Sequence, residues 1–288
     1  MRVQLAGGCQ VSHMHDGTPV VAGTLRIWNQ VGRATGAQAI SLRVMEFAPG
    51  MSPAIRNDDC DQILYVLDHD RVAVGDSSQG QAQSAPPLDQ DSIDRPHPEG
   101  VRSGKGIATI FINGDRYEIG PDTGIYIRPN ETLAIDNTGS DVITIISSQC
   151  PDPDRSPQFA SPLPAASQSN ASAPAPIVRL ADQRAQSTAD RWYRVMVDDG
   201  TGSAATQFVG SIPPGRAPDH FHNYEEVLFI LRGRGGMWAG ETNTAIAAGS
   251  CIYLPKGQVH CVENTGEGEL RLLGVFYPAG SPSVRYEV

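Results

Sequence analysis

The sequence predicts an all-β protein built as two barrels or sandwiches in one chain. Three observations predict it: short apolar runs cut by turn residues, an excess of glycine and proline, and a strand pattern that occurs twice. Thirty glycines and twenty-two prolines stand among 288 residues, well above the combined average of about 12%. Such a chain favours sheets joined by frequent turns over packed helices.

In the first half, Leu42-Arg43-Val44-Met45-Glu46-Phe47 and Ile63-Leu64-Tyr65-Val66-Leu67 read as strands bounded by Pro, Gly, Asn and Asp. Residues 76–106 turn polar, carry Pro86, Pro87, Pro96 and Pro98, and have few large apolar side chains. They cannot bury enough surface to offset their ordering entropy and read as a long insertion. Strand signals return at Ile107-Ala108-Thr109-Ile110-Phe111-Ile112, Gly124-Ile125-Tyr126-Ile127 and Val142-Ile143-Thr144-Ile145-Ile146. A stretch with seven prolines and many Ser and Ala, residues 151–176 with Phe159 as its one aromatic, has the composition of a semi-extended linker. Beyond it Ala205-Thr206-Gln207-Phe208-Val209, Val227-Leu228-Phe229-Ile230-Leu231, Cys251-Ile252-Tyr253-Leu254 and Leu270-Arg271-Leu272-Leu273-Gly274-Val275-Phe276 are strand-like, and helical periodicity is confined to residues 179–189. The expected units are therefore 1–150, with the insertion at 76–106, then the linker 151–176, then 177–288.

The halves match in detail. Laying Ile125-Tyr126-Ile127 on Ile252-Tyr253-Leu254 brings Asn137-Thr138-Gly139 onto Asn264-Thr265-Gly266 without a gap, and Ile63-Leu64-Tyr65-Val66-Leu67 lies on Val227-Leu228-Phe229-Ile230-Leu231. Two matches in the same order mark an internal duplication. Duplicated sheets can cover one another's exposed edges within a chain, which permits a monomer beside the alternative of a homodimer.

Charge and cysteine content exclude several classes. Twenty-two Lys and Arg against thirty-two Asp and Glu give a net charge of −10, the wrong sign for a nucleic-acid or anionic-membrane binder. No apolar run approaches the ~20 residues that span a bilayer, and Met1-Arg2-Val3-Gln4-Leu5 leads into no hydrophobic signal region; a cytoplasmic protein is expected. The cysteines at 9, 60, 150, 251 and 261 form no CxxC pair and read as reduced thiols filling cores.

Chemistry concentrates in Gly215-Arg216-Ala217-Pro218-Asp219-His220-Phe221-His222-Asn223-Tyr224-Glu225-Glu226. On a strand His220 and His222 project from one face, and Glu226 shares their parity. His260, after Gly249, Pro255 and Gly257, adds a fourth donor from a second strand. Three neutral imidazoles and a carboxylate suit one divalent transition metal, with Fe, Mn or Ni favoured and Zn or Co also possible, and leave open positions on a six-coordinate ion.

These residues resemble the cupin superfamily. Its first motif, G-x5-H-x-H-x3,4-E-x6-G, is matched by Gly215, His220, His222, Glu226 and Gly233, with a first spacing one residue short; its second, G-x5-P-x-G-x2-H-x3-N, is matched by Gly249, Pro255, Gly257, His260 and Asn264. Fifteen residues separate the motifs, similar to the compact spacing of many microbial members. The resemblance covers residues 177–288 directly. It implies two double-stranded β-helix (jelly-roll) barrels, the second with the metal inside. In the first, Arg56, Asp58 and Gln62 align with His220, His222 and Glu226, and Leu133 with His260, so the resemblance implies a bicupin with one degenerate barrel that binds no metal; Arg56 and Asp58 read as a salt bridge plugging the vacated barrel, with an anionic ligand held by Arg56 beside Asp58 as the alternative. His13-Met14-His15 has the ligand spacing without a following Glu or a partner motif and reads as a flexible segment or edge strand.

The expected function is that of a metal-dependent oxidoreductase, a dioxygenase acting on a small oxygenated or carboxylated molecule. A decarboxylase, lyase or isomerase, and a binding module without turnover, are the alternatives. Tyr224 is the candidate proton-transfer group, since Glu225 and Glu263 have outward parity. Arg271 is the candidate anchor for a substrate carboxylate. Phe208, Phe221, Phe229, Trp238, Tyr253 and Phe276 are candidates for an apolar wall. The lack of an obvious inward acid tilts the expectation toward oxidation.

Overall fold

A computed structural model describes residues 1–57, 59–68, 108–160, 175–188, 190–284 and 286–287. The insertion expected at 76–106, most of the linker, Asp58, His69 and His97 lie outside the described residues. Among the described residues every strand pairing is antiparallel and there is no α-helix, only 3-10 turns. The helical stretch expected at 179–189 instead holds the 3-10 turn Leu180–Asp182 and the strand Gln186–Thr188. Gln186–Thr188 pairs with Arg191–Val197, and this sheet partner overrides a weak helical pattern.

Each half contributes a large and a small sheet. In the first half Thr123–Ile127, Asp61–Val66, Ile143–Cys150, Leu42–Phe47, Leu25–Val31 and Val20–Ala22 lie side by side in that order, and Ala108–Ile112, Thr132–Asn137 and Ala54–Arg56 form the centre of the small sheet. In the second half Ser250–Leu254, Glu225–Arg232, Leu270–Tyr277, Thr206–Ile212 and Arg191–Val197 lie side by side, and Arg234–Ala239, His260–Asn264 and His220–Phe221 repeat the small sheet. Period-two alternation sorts the side chains: Leu64, Val66, Ile145, Met45 and Phe47 fill the first barrel with Leu133 and Ile135. Leu228, Ile230, Leu272 and Phe276 fill the second with Met237 and Val262. The opposite faces of the two large sheets, with Tyr65, Val44 and Ile146 from one half and Phe229, Leu273 and Val275 from the other, make a third core between the barrels.

The chain crosses between its halves at both edges. Gln10–His13 pairs with Ser250–Leu254 of the second half, and Ile177–Arg179 pairs with Thr123–Ile127 of the first. Strand pairing thus ignores the expected boundaries at 150 and 177, because each barrel's large sheet needs its edge covered. His13 ends one of these crossing strands, and His15 reaches Glu46 with Nε2 2.7 Å from Oε1.

The duplication is also visible in polar detail. Asn137 Nδ2 donates to Phe47 O at 2.9 Å and Asp141 O at 2.8 Å, while Asn264 Nδ2 donates to Ile212 O at 2.8 Å and Gly268 O at 2.7 Å. Between the barrels Tyr126 donates to Asp61 Oδ1 at 2.6 Å, and Asp61 Oδ2 accepts from the Ala204 N–H at 2.7 Å. Tyr253 donates to Glu225 Oε1 at 2.7 Å, and Glu225 Oε2 accepts from the Ala39 N–H at 2.7 Å. Each acid–tyrosine pair clasps the opposite barrel's loop, and each loop passes through a left-handed glycine, Gly36 at φ 101° or Gly202 at φ 88°. Burial and the adjacent carboxylate hold both tyrosine hydroxyls above the usual phenol range.

Candidate metal centre

His220 lies directly opposite His260 in the antiparallel pair of His220–Phe221 and His260–Asn264. His222 follows two residues on, where its carbonyl accepts from the Gly257 N–H at 2.8 Å. Two segments of the small sheet therefore bring three imidazoles together, with ring centroids 4.5 to 5.2 Å apart and ligand atoms all within 4.8 Å of one another. His222 and His260 are buried and His220 is half-buried, so the trio opens toward one side.

Backbone carbonyls set the tautomers. Nδ1 of His220 lies 3.0 Å from Pro218 O, Nδ1 of His222 3.1 Å from Val284 O, and Nδ1 of His260 2.8 Å from Gln258 O. A carbonyl can only accept, so each ring carries its proton on Nδ1 and leaves the Nε2 lone pair for the shared space. Burial, then the neighbouring His260 and His220 rings, pushes His222 down to about 3; burial and His220 push His260 down to about 4. Both rings are neutral at pH 7, the form that ligates metal.

Glu226 is contributed by the large sheet, on Glu225–Arg232 opposite Leu254 and Phe276. Its Oε2 stands 3.5 Å from His222 Nε2, so it adjoins the trio through one member. Burial pushes its carboxyl up to about 8. The donor set of three imidazoles and one carboxyl fits a divalent transition metal, and no thiolate competes. Cys261 lies beside His260 in sequence, but its Sγ accepts from Arg216 Nε at 3.2 Å. All five cysteines are buried and unbridged, as core thiols should be.

Tyr224 joins the site. Its ring stacks on His222 at 4.8 Å and 9°, and on Phe276 at 4.4 Å and 17°. Phe208 continues this wall 6.1 Å from Phe276 and lies across Gly274, where an added Cβ would come 2.4 Å from its ring. Phe229 and Tyr253 instead belong to the core between the barrels, and Trp238 donates Nε1–H to Glu263 Oε2 at 2.9 Å while Arg216 stacks on it.

Arg271 does not join the site. Leu270, Leu272 and Phe276 face the barrel interior, so Arg271 takes the opposite face, opposite Ser211 and five residues from Phe276. There its Nη2 binds Glu269 Oε1 at 2.6 Å, over the Trp192 ring. The apolar neighbours that suggested a substrate anchor belong to both faces of a fully buried strand. Glu225 also points away from the metal site, into the clasp between barrels.

The first barrel departs from the expected alignment by one residue of register. Leu133 lies opposite Ile55, and Arg56 opposite Thr132. Ile55 and Leu133 therefore fill the place of His220 and His260 with aliphatic side chains, while exposed Arg56 donates to Asn130 Oδ1 at 3.4 Å. A one-residue shift moves a side chain to the other face, so Arg56 does not plug the barrel. Val284, whose carbonyl orients His222, carried no sequence signal because a backbone acceptor has no residue preference.

A family model described as "Cupin domain" matches residues 208–276, the strands that bear His220, His222, Glu226 and His260. An uncharacterised protein of Aquifex aeolicus is 33% identical over 86 residues, covering 29% of this chain and 69% of that protein. One of Streptomyces coelicolor is 38% identical over 60 residues, covering 21% of this chain; the chain spans 56% of that relative's length. Among solved structures, oxalate decarboxylase from Bacillus subtilis gives a TM-score of 0.66 at 13% identity, over 94% of this chain and 77% of that one. A structure of the same enzyme concerned with its Mn(II) centres gives 0.66 at 12%, over 94% and 78%. Among the described residues no helix is long and apolar enough to cross a membrane.

Proposed function

The chain belongs to the cupin superfamily as a two-barrel member, and from that premise we propose a metal-dependent enzyme whose carboxy-terminal barrel acts on a small oxygenated or carboxylated molecule. The observation that carries this reading is the convergence of three imidazoles, each oriented by a carbonyl on its own Nδ1. His220, His222, His260 and Glu226 would hold one divalent ion, Fe, Mn or Ni before Zn or Co. Such an ion would supply Lewis acidity to a substrate oxygen.

The side chains around it define the rest. Tyr224, Phe276 and Phe208 exclude water and pack the apolar part of a substrate. With Arg271 turned away, orientation falls to the donor cluster and to this aromatic wall. Tyr224 stacks on His222, which sets a phenol beside the trio. A group able to give or take a proton is what non-oxidative chemistry needs. With Tyr224 packed against a ligand ring and a Mn(II)-bearing oxalate decarboxylase of like fold in support, we favour a decarboxylase, lyase or isomerase. A dioxygenase is the second reading, favoured by the apolar wall, which suits a substrate with little charge.

The test is turnover of a panel of small carboxylic and hydroxy acids with Mn(II) or Fe(II), with and without oxygen. Product under strict anaerobiosis, lost in His260→Ala, supports the non-oxidative reading. Product formed only with stoichiometric oxygen uptake overturns it in favour of the dioxygenase. Metal and ligand binding without product in either atmosphere leaves a binding module.

A further inference from the structure

Three carbonyls orient the three imidazoles, and one of them differs in kind. Pro218 O and Gln258 O stand two residues before His220 and His260, so neither can leave without the ligand it holds. The acceptor for His222 is Val284 O, 62 residues further along the chain. The backbone of His222 is fixed separately, its carbonyl accepting from the Gly257 N–H at 2.8 Å, and the stack on Tyr224 fixes the plane of its ring. A stack does not decide which edge of the ring faces the trio, because the terminal torsion of histidine is close to two-fold. That choice, and with it the ligating nitrogen, falls to Val284.

The segment that carries Val284 is held firmly at its start and lightly beyond. The Ala279 N–H donates to Ala204 O at 2.6 Å, while Thr206 Oγ1 accepts from the Gly280 N–H and donates to Gly280 O, both at 3.0 Å. Ala204 is also the residue whose N–H the Asp61 carboxylate of the first barrel holds. After Gly280 the chain turns at Ser281, whose carbonyl accepts from the Val284 N–H at 3.1 Å. It then runs as Tyr286–Glu287 along the outer edge of the small sheet, opposite Phe221 and His220. Val284 is 45% exposed, and a two-residue strand on a sheet edge opens far more readily than the buried strands inside it. We propose that the segment beyond Gly280 is a detachable strap on the metal centre, with Val284 as a positioning residue. Closed, its carbonyl takes the hydrogen bond from Nδ1 and keeps Nε2 of His222 as the lone-pair nitrogen, on the side of Glu226. Opened, it lets the ring flip, or exchange its proton with water and carry it on Nε2, and either change removes a ligand. The strap rests on the metal-centre reading but acts on the ring whether or not an ion is bound.

The experiment compares the full chain with a chain ended after Pro282 and with Thr206→Val, which removes the hydroxyl that meets the segment at Gly280. NMR of the histidine ring nitrogens is recorded at pH 7 without metal. In the full chain all three ligand rings should carry their proton on Nδ1. In the shortened chain His222 alone should lose that preference, while His220 and His260 keep theirs and show that the site is still folded. The shortened chain should bind Mn(II) about tenfold or more weakly, chiefly through faster release into excess chelator. Thr206→Val should speed release by a smaller factor, a readout that holds if the shortened chain does not fold. His222 keeping its Nδ1 proton in the shortened chain, all three rings shifting together, or Mn(II) leaving every protein at the same rate overturns the proposal. Because the ring nitrogens are read without metal, failure of the full chain to take up Mn(II) would overturn the metal centre and leave the strap to be judged by His222.

Discussion

Replacing His220 or His260 by Ala should abolish stoichiometric metal in protein purified without added ions, and Arg56→Ala should leave it intact, as read by elemental analysis. The proton balance gives a finer test. Without metal at pH 7, His222 and His260, pushed down to about 3 and about 4, are neutral, while Glu226, pushed up to about 8, is mostly protonated. Ligation by the carboxylate must expel that proton and none from His222 or His260, so metal uptake should release about one proton and tighten as pH rises through about 8. Titration in two buffers of different ionisation heat measures it. Glu226→Gln should reduce the release to nearly none, whereas a release of two or more would mean that the imidazoles enter protonated.

The clasp between barrels makes its own prediction. Tyr253→Phe removes one hydrogen bond to a carboxylate and should cost about 1.5 to 3 kcal/mol, with Tyr126→Phe comparable; urea unfolding measures both. Gly274→Val should destabilise by more than a surface change, about 1 to 3 kcal/mol, by driving a side chain into Phe208. Strands, duplication and the clustering of His220, His222 and His260 were readable from the sequence because each has a periodic or spacing signature. The clasp was readable in principle, since the two matches that show the duplication also place Asp61 on Glu225 and Tyr126 on Tyr253. The register of Arg56 was not, because gap-free alignment cannot see a one-residue slip between partner strands. Nor was the orientation of Arg271, since a strand buried on both faces shows no alternation to read.

Because one core lies between the large sheets and each half covers an edge of the other, the two barrels should unfold together. Calorimetry should give a single transition without metal, and metal should raise its midpoint rather than split it. Two separated transitions, of which only the later responds to metal, would mean that the edge strands and the central core do not couple the halves.

The paired acid–tyrosine clasps repeat across the chain as a pseudo-twofold axis repeats contacts in a symmetric pair of subunits. In such a pair any altered residue appears on both sides at once. Joining the copies into one polypeptide removes that constraint: Phe208 can remain in one barrel while its counterpart is Arg43 in the other. Symmetric holding contacts and asymmetric interiors are thus compatible only because both copies are encoded in tandem, and the mating surface can stay fixed while each interior drifts on its own.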